Sequence, residues 1–537
     1  LFYVALPWFL FAFGWLRLVF AIPLALLLAG TLWRLWRRAG ADADAAPRVP
    51  AGRYDTWRWI ALVAIVAVVV LLAGVGGYSF QFFDYAQLNA ATKALITEPW
   101  PLGYTSIGPD EEPGVIVYHW AYFLPAALAG KVLGWAAAFH SFYLWGVLGI
   151  ALAVVWFLRV LRTVSVGYGA LLLFFGGLDV LGYLATREWP GAAGPSWADY
   201  LTATYPWSIG RGYLDMWLLD AALGHASNVL NGVFYLFLSP MTQLATGPHH
   251  LLPSSVALLM LLDDALRRRT CERAGFLWAC MPLASPLVAL GATPFVGLAG
   301  LGTRFRRAWT PANLITAPVL LGVAGFFFLS HEGDVVHGWL WEYQNLLATW
   351  RYLALYYVCE FGLYAVVCPR GRGEPHTPSR LWWYGALACL LLLPWYRLGV
   401  YNDLTAKSAL PALLVFLVCL ASGVRAAQSP AERWRKRALV VLLCVGSLAA
   451  WGHLYRGVAW GIDLTPPGPE AVVEPYDYEP KELIKQALGE TDAFFWRYLA
   501  RRPQLQPPEP MRIEAAWKFQ EEGADFTRTG EDAWTLD

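Results

Sequence analysis

Long apolar runs separated by charged linkers are the feature that most constrains the fold of this chain. Residues 60–78 and 142–160 each match one membrane-spanning helix in length, and neither contains an acidic residue. A bilayer core takes about 20 apolar residues of helix. The chain is 58% hydrophobic and 15% charged, whereas soluble domains are about 45–50% apolar and about 25% charged. This composition predicts a polytopic membrane protein rather than a series of soluble domains.

Taken in order, the apolar runs predict an all-α, polytopic transmembrane helical bundle of about 11–14 membrane segments. Residues 1–33 are too long for one upright span and predict two helices that meet near Gly14. Residues 229–262 look broken, because prolines flank a polar stretch, and predict two half-helices that meet at a polar turn. We expect residues 1–462 to form the transmembrane domain and residues 463–537 to form a soluble tail with short helices at 481–488 and 511–522.

The distribution of charge predicts the orientation of the bundle. Basic residues cluster in linkers near 34–58, 159–162, 263–273, 303–307, 369–380 and 425–437. The positive-inside rule places such linkers in the cytoplasm. The opposite face then carries the loops 79–114, 187–215, 331–351 and 396–407 together with the tail. The pattern predicts a multi-pass protein of a bacterial cytoplasmic (inner) membrane whose active face and C-terminal tail are extracytoplasmic.

Several function classes receive no support from the sequence. The net charge is +1, so no overall field favours nucleic acid. The seven cysteines show no CxxC spacing and predict neither a disulfide framework nor a zinc motif of that type. No Gly-rich phosphate loop, HExxH or GxSxG is present, which leaves a nucleotide-driven pump or a kinase unsupported. The chain begins at Leu1 inside an apolar run, without a cleavable signal-peptide pattern, and we expect its natural start to lie upstream.

The loop 79–114 is the leading candidate for an active-site loop. Asp84 follows a predicted span directly, and Asp110 and Glu111 precede the next one. A carboxylate at the membrane boundary can act as a general base on a hydroxyl or hold a metal ion. The alternatives are a solvated carboxylate and a helix cap.

Two polar positions lie within apolar runs. Asp179 would be costly there unless it is paired, so it is either a structural hydrogen-bonding group or part of a site wall. His249 and His250 occur at the predicted helix break. Adjacent histidines on a regular helix point in different directions, which argues against a metal site with both as ligands. We therefore expect one of them to line a cavity or to contact a helix N-terminus.

Cations near the outer boundary are candidates for phosphate binding. Arg351, Arg397 and Lys407 lie among the acidic loops, and a lipid-linked phosphate donor needs such a cation to stabilise its leaving group. The alternative for each is contact with lipid headgroups. Asn402 and Asp403, with Lys407 one helical turn later, form the densest polar cluster late in the chain.

The layout resembles the GT-C superfamily of integral-membrane glycosyltransferases. The matching residues are FFDYAQLNAATKALITEPWP followed by YHWAYFLPAALAGK, with Asp84 at the position of the family's loop carboxylate, and GGLDVLG, GPHHLLP, ASPLVALGATPF and YNDLTAKSALPALL. The resemblance covers residues 60–451. It implies roughly a dozen helices, a catalytic acidic residue in the first large outer loop and a polyprenyl-phosphate sugar donor.

These observations lead to one principal hypothesis and two alternatives. The principal hypothesis is transfer of a sugar from a polyprenyl-phosphate carrier to an envelope glycan, lipid or protein on the outer face of the membrane. The expected site residues are Asp84 as base or metal ligand; Arg397 and Lys407 for the phosphate; and Asp110, Glu111, His249, Asn402 and Asp403 for the substrate. No cofactor is assigned, and a divalent cation stays open. The alternatives are a non-enzymatic membrane subunit that binds a complex partner through its outer loops and tail, and a lipid or polysaccharide transporter.

Overall fold

The computed structural model describes most of the apolar chain and part of the loops. It covers residues 1–44, 53–81, 84–104, 114–186, 216–219, 233–331, 335–343, 346–368, 378, 380–399, 402–427, 429–459, 461–469 and 487–505. The predicted tail helices at 481–488 and 511–522 lie largely outside these residues. The whole of the loop 187–215 also lies outside them.

The described residues are mostly helical, at 75% helix. The helices before the middle of the chain are α1 (Phe2–Trp15), α2 (Leu18–Asp44), α3 (Arg53–Leu72), α4 (Asp84–Thr97), α5 (Leu124–Leu133), α6 (Trp135–Leu161), α7 (Val166–Phe174), α8 (Asp179–Thr186), α9 (Pro240–Thr246) and α10 (Pro248–Leu262). The later helices are α11 (Ala274–Cys280), α12 (Pro286–Gly302), α13 (Ala317–Phe328), α14 (Leu340–Tyr343), α15 (Leu346–Tyr357), α16 (Leu363–Val367), α17 (Arg380–Leu392), α18 (Asp403–Ala426), α19 (Pro430–Gly446) and α20 (Leu448–Ala459).

Four helices of the described residues are long and apolar enough to cross a membrane. They are Leu18–Arg38, Trp135–Leu161, Asp403–Ala426 and Glu432–Ala459, the last of which runs through α19 and α20. Six further apolar helices are shorter, at 10–17 residues each. The predicted number of about 11–14 membrane segments is therefore not reached by these four, because turns and breaks divide many apolar runs into pieces shorter than a span.

Helix α18 is the central helix of the bundle. Of its most apolar window, 89% is buried, compared with 28% for the α2 window. Helices α6, α10, α12 and α17 pack around it. The peripheral helices keep large apolar side chains exposed, such as Leu26 on α2 and Val155 on α6. Apolar side chains at the periphery of a bundle are what a lipid environment requires, and this supports membrane association.

Breaks in two apolar runs follow from local sequence. Helix α9 ends at Thr246 and α10 begins at Pro248, as expected for the run 229–262. Proline is favoured in the first turn of a helix, where its missing N–H is not needed. In the run 274–302, α11 ends at Cys280 and α12 begins after Ser285, whose side chain accepts a hydrogen bond from the Val288 N–H.

The chain is not purely helical, because short antiparallel strands join the loops. β1 (Gly103–Tyr104), β2 (Gly114–Ile116) and β7 (Leu488–Gly489) form one sheet in the order β1-β2-β7. β3 (Met216–Leu219) pairs with β4 (Val233–Leu236), and β5 (His337–Trp339) pairs with β6 (Tyr396–Leu398). These pairings satisfy backbone polar groups in segments that have no helix to do so.

The pairings bring three of the predicted outer loops and the tail to one end of the bundle. β2 belongs to the first loop, β7 to the tail, and His331 forms a bridge with Gly489 of that same tail. β5 and β6 join the loops 331–351 and 396–407. Residues 487–505 of the tail pack on the bundle, where the Arg17 Nε donates to the Ala500 carbonyl at 2.9 Å.

The basic linkers meet at the opposite end. Buried Asp264 accepts two hydrogen bonds from Arg273, at 2.6 and 2.9 Å. Arg159 and Arg267 pair with buried Asp263. Further pairs join Arg38 and Arg307 to Glu272. The basic residues that cluster in the sequence therefore form a network of ion pairs with buried acidic residues.

Candidate functional site

Three histidine side chains meet at the end of the bundle that carries the predicted outer loops. His119 lies in the non-helical segment before the 3₁₀ turn Trp120–Tyr122, and His249 and His250 lie in the first turn of α10. The ring centroids are 5.2 Å apart for His119 and His249, 5.0 Å for His119 and His250, and 3.8 Å for the adjacent pair. One ring nitrogen from each lies within 4.8 Å of those of the other two.

Backbone hydrogen bonds hold the His119 segment against the turn before α12 and against the tail. The Ala121 N–H donates to the Leu283 carbonyl at 3.1 Å, just before α12. The Val117 N–H donates to the Ala487 carbonyl of the tail at 2.7 Å. These bonds fix the segment between the bundle and the tail, so the position of His119 depends on contacts far away in sequence.

The surroundings of the three imidazoles are mostly apolar and aromatic. His249 and His250 are 3% and 6% exposed, and the rings of Tyr118 and Phe123 lie within 6 Å of the His249 ring. Burial, and to a lesser extent the charge of Lys407, lowers the pKa of His119 to about 3. His119 is therefore neutral at pH 7, and its imidazole can offer a lone pair to an electrophile or a metal ion.

Hydrogen bonding distinguishes the three histidines. The Nδ1 of His250 lies 2.8 Å from the Oγ of Ser285. Neither ring nitrogen of His249 has a hydrogen-bond partner among the described residues, and the same is true of the Nδ1 of His119. Buried polar atoms are usually paired, so these atoms indicate a partner that the described residues do not supply.

The start of α18 brings a cation close to this cluster. The Nζ of Lys407 donates to the Oδ1 of Asp403 at 2.7 Å, and both side chains are about one-quarter exposed. The ammonium group lies within electrostatic range of all three histidines. Asn402, which precedes α18 in a left-handed conformation, is fully buried. Of the predicted site residues, His249, Asn402, Asp403 and Lys407 thus lie at the same end of the bundle.

Arg397 packs between the loops beside the start of α18. Its side chain is fully buried, its Nε donates to the Gly399 carbonyl at 3.4 Å, and its guanidinium lies 4.8 Å from the centre of the Tyr343 ring. Gly399 has a φ of +81°, and a Cβ there would collide with the Asp403 carboxylate. The loop therefore needs glycine at this position to close over the start of α18.

Asp84 is the first residue of α4, so the predicted loop carboxylate follows an apolar helix and begins the next one. The next residue, Tyr85, is buried, and its hydroxyl donates to the Leu244 carbonyl of α9 at 3.3 Å. The start of α4 therefore lies beside the break between α9 and α10. Asp110 and Glu111 lie outside the described residues.

A second group of buried polar residues lies elsewhere in the bundle. Asp179 begins α8 and is 4% exposed, and Glu360, in the π-helical turn after α15, is 2% exposed. The Leu178 N–H donates to the Cys359 carbonyl at 3.0 Å, which joins these two segments. Asp179 is thus a buried polar group in a helix–helix contact.

His119 was not among the site residues predicted from the sequence. The prediction that the adjacent histidines point in different directions was wrong, because the structure brings the rings of His249 and His250 together. Both residues lie in the first turn of α10, and the rotamers of their side chains bring the rings to a centroid distance of 3.8 Å. A single histidine at the start of an apolar segment, together with a histidine pair near a helix break, is the signal that could have indicated the cluster.

Comparison with known proteins adds no relative. No protein-family model matches the chain, and neither the curated proteins nor the solved structures contain a match to it.

Proposed function

We propose that this protein is an integral-membrane enzyme that transfers a sugar from a polyprenyl-phosphate carrier to an acceptor in the bacterial cell envelope. The observation that carries the proposal is the position of Lys407, which lies within electrostatic range of buried imidazoles in a helical bundle with four candidate spans. A lipid-linked donor presents its phosphate at such a boundary while its chain stays among the helices. The GT-C-like layout of about 11–14 segments belongs to the same proposal.

The chemistry assigns each residue a defined task. The acceptor oxygen forms a bond to the anomeric carbon, while the bond from that carbon to the phosphate oxygen breaks. The phosphate leaves with the bonding electron pair, and Lys407 stabilises its negative charge. The acceptor proton passes to the Asp84 carboxylate, which acts as general base. Asp403 positions Lys407 through their 2.7 Å hydrogen bond.

Helix ends add to the stabilisation of the phosphate. Helices α10 and α12 both begin near the histidine cluster, since His250 of α10 bonds Ser285 immediately before α12. The free N–H groups and the dipole at a helix N-terminus favour an anion. Arg397 holds the adjacent loop closed by stacking on Tyr343, and we assign it the task of supporting the phosphate site through that loop.

Release of free polyprenyl phosphate tests the proposal without knowledge of the acceptor. The purified full-length protein, reconstituted in liposomes, is supplied with polyprenyl-phosphate sugars and a membrane extract as the source of acceptor. Mass spectrometry then measures the free polyprenyl phosphate. We expect release by the wild type and a loss of about 10²–10³-fold for Lys407→Ala, the range seen when one charge-stabilising donor is removed. Lys436→Ala removes a lysine from the basic end and serves as the matched control.

The expected pattern is specific to the transferase. Equal rates for Lys407→Ala and Lys436→Ala, or no release from any donor sugar, would overturn the proposal. Co-purification of a stable protein partner without bound lipid phosphate would favour the membrane-subunit alternative instead.

Transport is a second candidate that one observation favours. Buried polar side chains continue inside the bundle, where the Oγ1 of Thr242 lies 2.9 Å from the Nε2 of His453 and Asp179 and Glu360 are buried. Polar groups within a membrane bundle often mark a substrate path. A transporter would move labelled lipid or glycan across proteoliposomes without release of free carrier phosphate.

A further inference from the structure

The histidine cluster has the composition of a transition-metal site. We propose that His119, His249 and His250 bind one divalent transition-metal ion, zinc by preference, with one coordination position open. Sugar transfer as proposed above does not require this metal ion. The metal site is therefore tested by measuring bound metal rather than enzyme activity.

The distances allow tetrahedral ligation after small side-chain movements. Zinc binds imidazole nitrogen at about 2.0–2.1 Å, which places the ligand nitrogens roughly 3.4 Å from one another. The three ligand atoms already lie within 4.8 Å of one another. Because each imidazole turns about two side-chain bonds, rotations that move the nitrogens by about 1 Å complete the geometry.

The hydrogen bonds indicate which ring nitrogens would bind the metal ion. When the Nδ1–H of His250 donates to the Oγ of Ser285, at 2.8 Å, its Nε2 keeps a free lone pair. This arrangement, in which the second ring nitrogen is held by a neighbouring oxygen, is the usual support for a metal-bound histidine. His249 has no partner at either nitrogen among the described residues, and a metal ion would satisfy one of them.

The donor set also indicates which metal. Three neutral imidazoles without a carboxylate suit zinc, copper, iron or nickel, whereas magnesium and calcium prefer oxygen ligands. The nearby positive charge of Lys407 would oppose a cation, but Asp403 pairs with that charge at 2.7 Å. Three protein ligands and one open position are typical of zinc sites that take a further ligand, such as water or an anion.

The first experiment measures metal binding by the full-length protein in detergent. The protein is stripped with a chelator, and Co²⁺ and then Zn²⁺ are titrated in, with visible d–d absorption and elemental analysis as readouts. We expect one equivalent of metal and the absorption of four-coordinate cobalt, which zinc displaces. His119→Gln and His249→Gln should each weaken binding by at least about tenfold, and Ser285→Ala by about 10–100-fold.

Matched variants separate the site from adventitious binding. His453→Gln changes a buried histidine that bonds Thr242 outside the cluster, and we expect it to keep one equivalent of metal. No binding by the wild type, or equal binding by His249→Gln and His453→Gln, would overturn the proposal.

X-ray absorption of the zinc-loaded wild type keeps the test independent of the variants, should one of them fail to fold. Scattering from three imidazole ligands supports the site, and a first shell of oxygen alone or of sulfur overturns it. Failure of the transferase assay would leave these readouts unchanged, so the two proposals can fail separately.

Discussion

The Oγ of Ser285 lies 2.8 Å from the Nδ1 of His250 and also accepts a hydrogen bond from the Val288 N–H at 3.4 Å. One hydroxyl thus caps the start of α12 and orients a histidine in the first turn of α10. This contact links helix formation directly to the geometry of the histidine cluster. The two roles can be separated by experiment, because another serine of the chain caps a helix without touching the cluster.

Replacement of Ser285 by alanine should destabilise the protein and loosen the cluster. The loss of a helix cap costs about 1 kcal/mol, and the loss of the hydrogen bond to His250 adds about 1 kcal/mol. Chemical denaturation in detergent measures the free energy of unfolding. Ser429→Ala, which removes the capping box of α19, should lose only the cap contribution. Equal destabilisation by the two variants would show that the Ser285–His250 contact has no energetic role.

Zinc should stabilise the folded protein in proportion to its occupancy of the cluster. At one hundred times the dissociation constant, a ligand specific for the folded state raises the free energy of unfolding by about 2.7 kcal/mol. Thermal denaturation with and without zinc measures this shift. His140→Gln changes a histidine that contacts Tyr78 and is not part of the cluster, and it should keep the shift, whereas His249→Gln should lose it. A shift that persists in His249→Gln would place the zinc elsewhere.

Close packing of α12 on α18 should make Gly291 intolerant of a side chain. A Cβ at Gly291 would lie 2.0 Å from the backbone oxygen of Ser408, next to Lys407. Overpacking of this kind costs about 1–3 kcal/mol, and the two helices would have to separate. Gly297 lies on the same helix, and a Cβ added there would meet no atom within 4 Å. Gly297→Ala should therefore be neutral or stabilising by up to about 1 kcal/mol. Thermal unfolding of both variants decides the point, and a harmless Gly291→Ala would contradict the packing.

The ion pairs Asp264–Arg273 and Asp403–Lys407 should differ in their contribution to stability, because they differ in burial. Asp264 and Arg273 are 1% and 7% exposed at their side chains and share two hydrogen bonds. Asp264→Asn leaves a buried arginine without its counter-charge and should cost about 3–5 kcal/mol. Asp403→Asn removes the partner of Lys407 in a pair about one-quarter exposed and should cost at most about 1 kcal/mol. Denaturant titrations of the two variants compare the costs directly, and similar values would refute the distinction.

Asp84 should be required for sugar transfer and dispensable for folding. Asp84→Asn removes the general base but keeps the size of the side chain, so turnover should fall by about 10²–10⁴-fold. Asp492→Asn, at an exposed position near the folded part of the tail, is the control and should keep full turnover. Size-exclusion chromatography checks that both variants are folded. Retained transfer by Asp84→Asn would remove this residue from the mechanism.

Local sequence was sufficient for several elements of the fold. The two helices that begin within residues 1–33 and the break between α9 and α10 follow from apolar length and proline, whereas α4 lies within the predicted loop 79–114. The apolar run 115–138 does not form one continuous helix. That run contains β2, a 3₁₀ turn and the separate helix α5, because its backbone pairs with the tail and with β1 before the helix begins.

What the sequence by itself determined is the chemical character of the chain: apolar helices for a membrane, basic linkers at one end and polar loops at the other. Composition and spacing act locally, so they can be read along the chain. The meeting of His119 with His249 and His250, and the approach of Lys407 to them, was decided only by tertiary structure. It depends on the Ala121–Leu283 hydrogen bond and on the packing of α10, α12 and α18, and contacts between distant segments leave no periodic trace in the sequence.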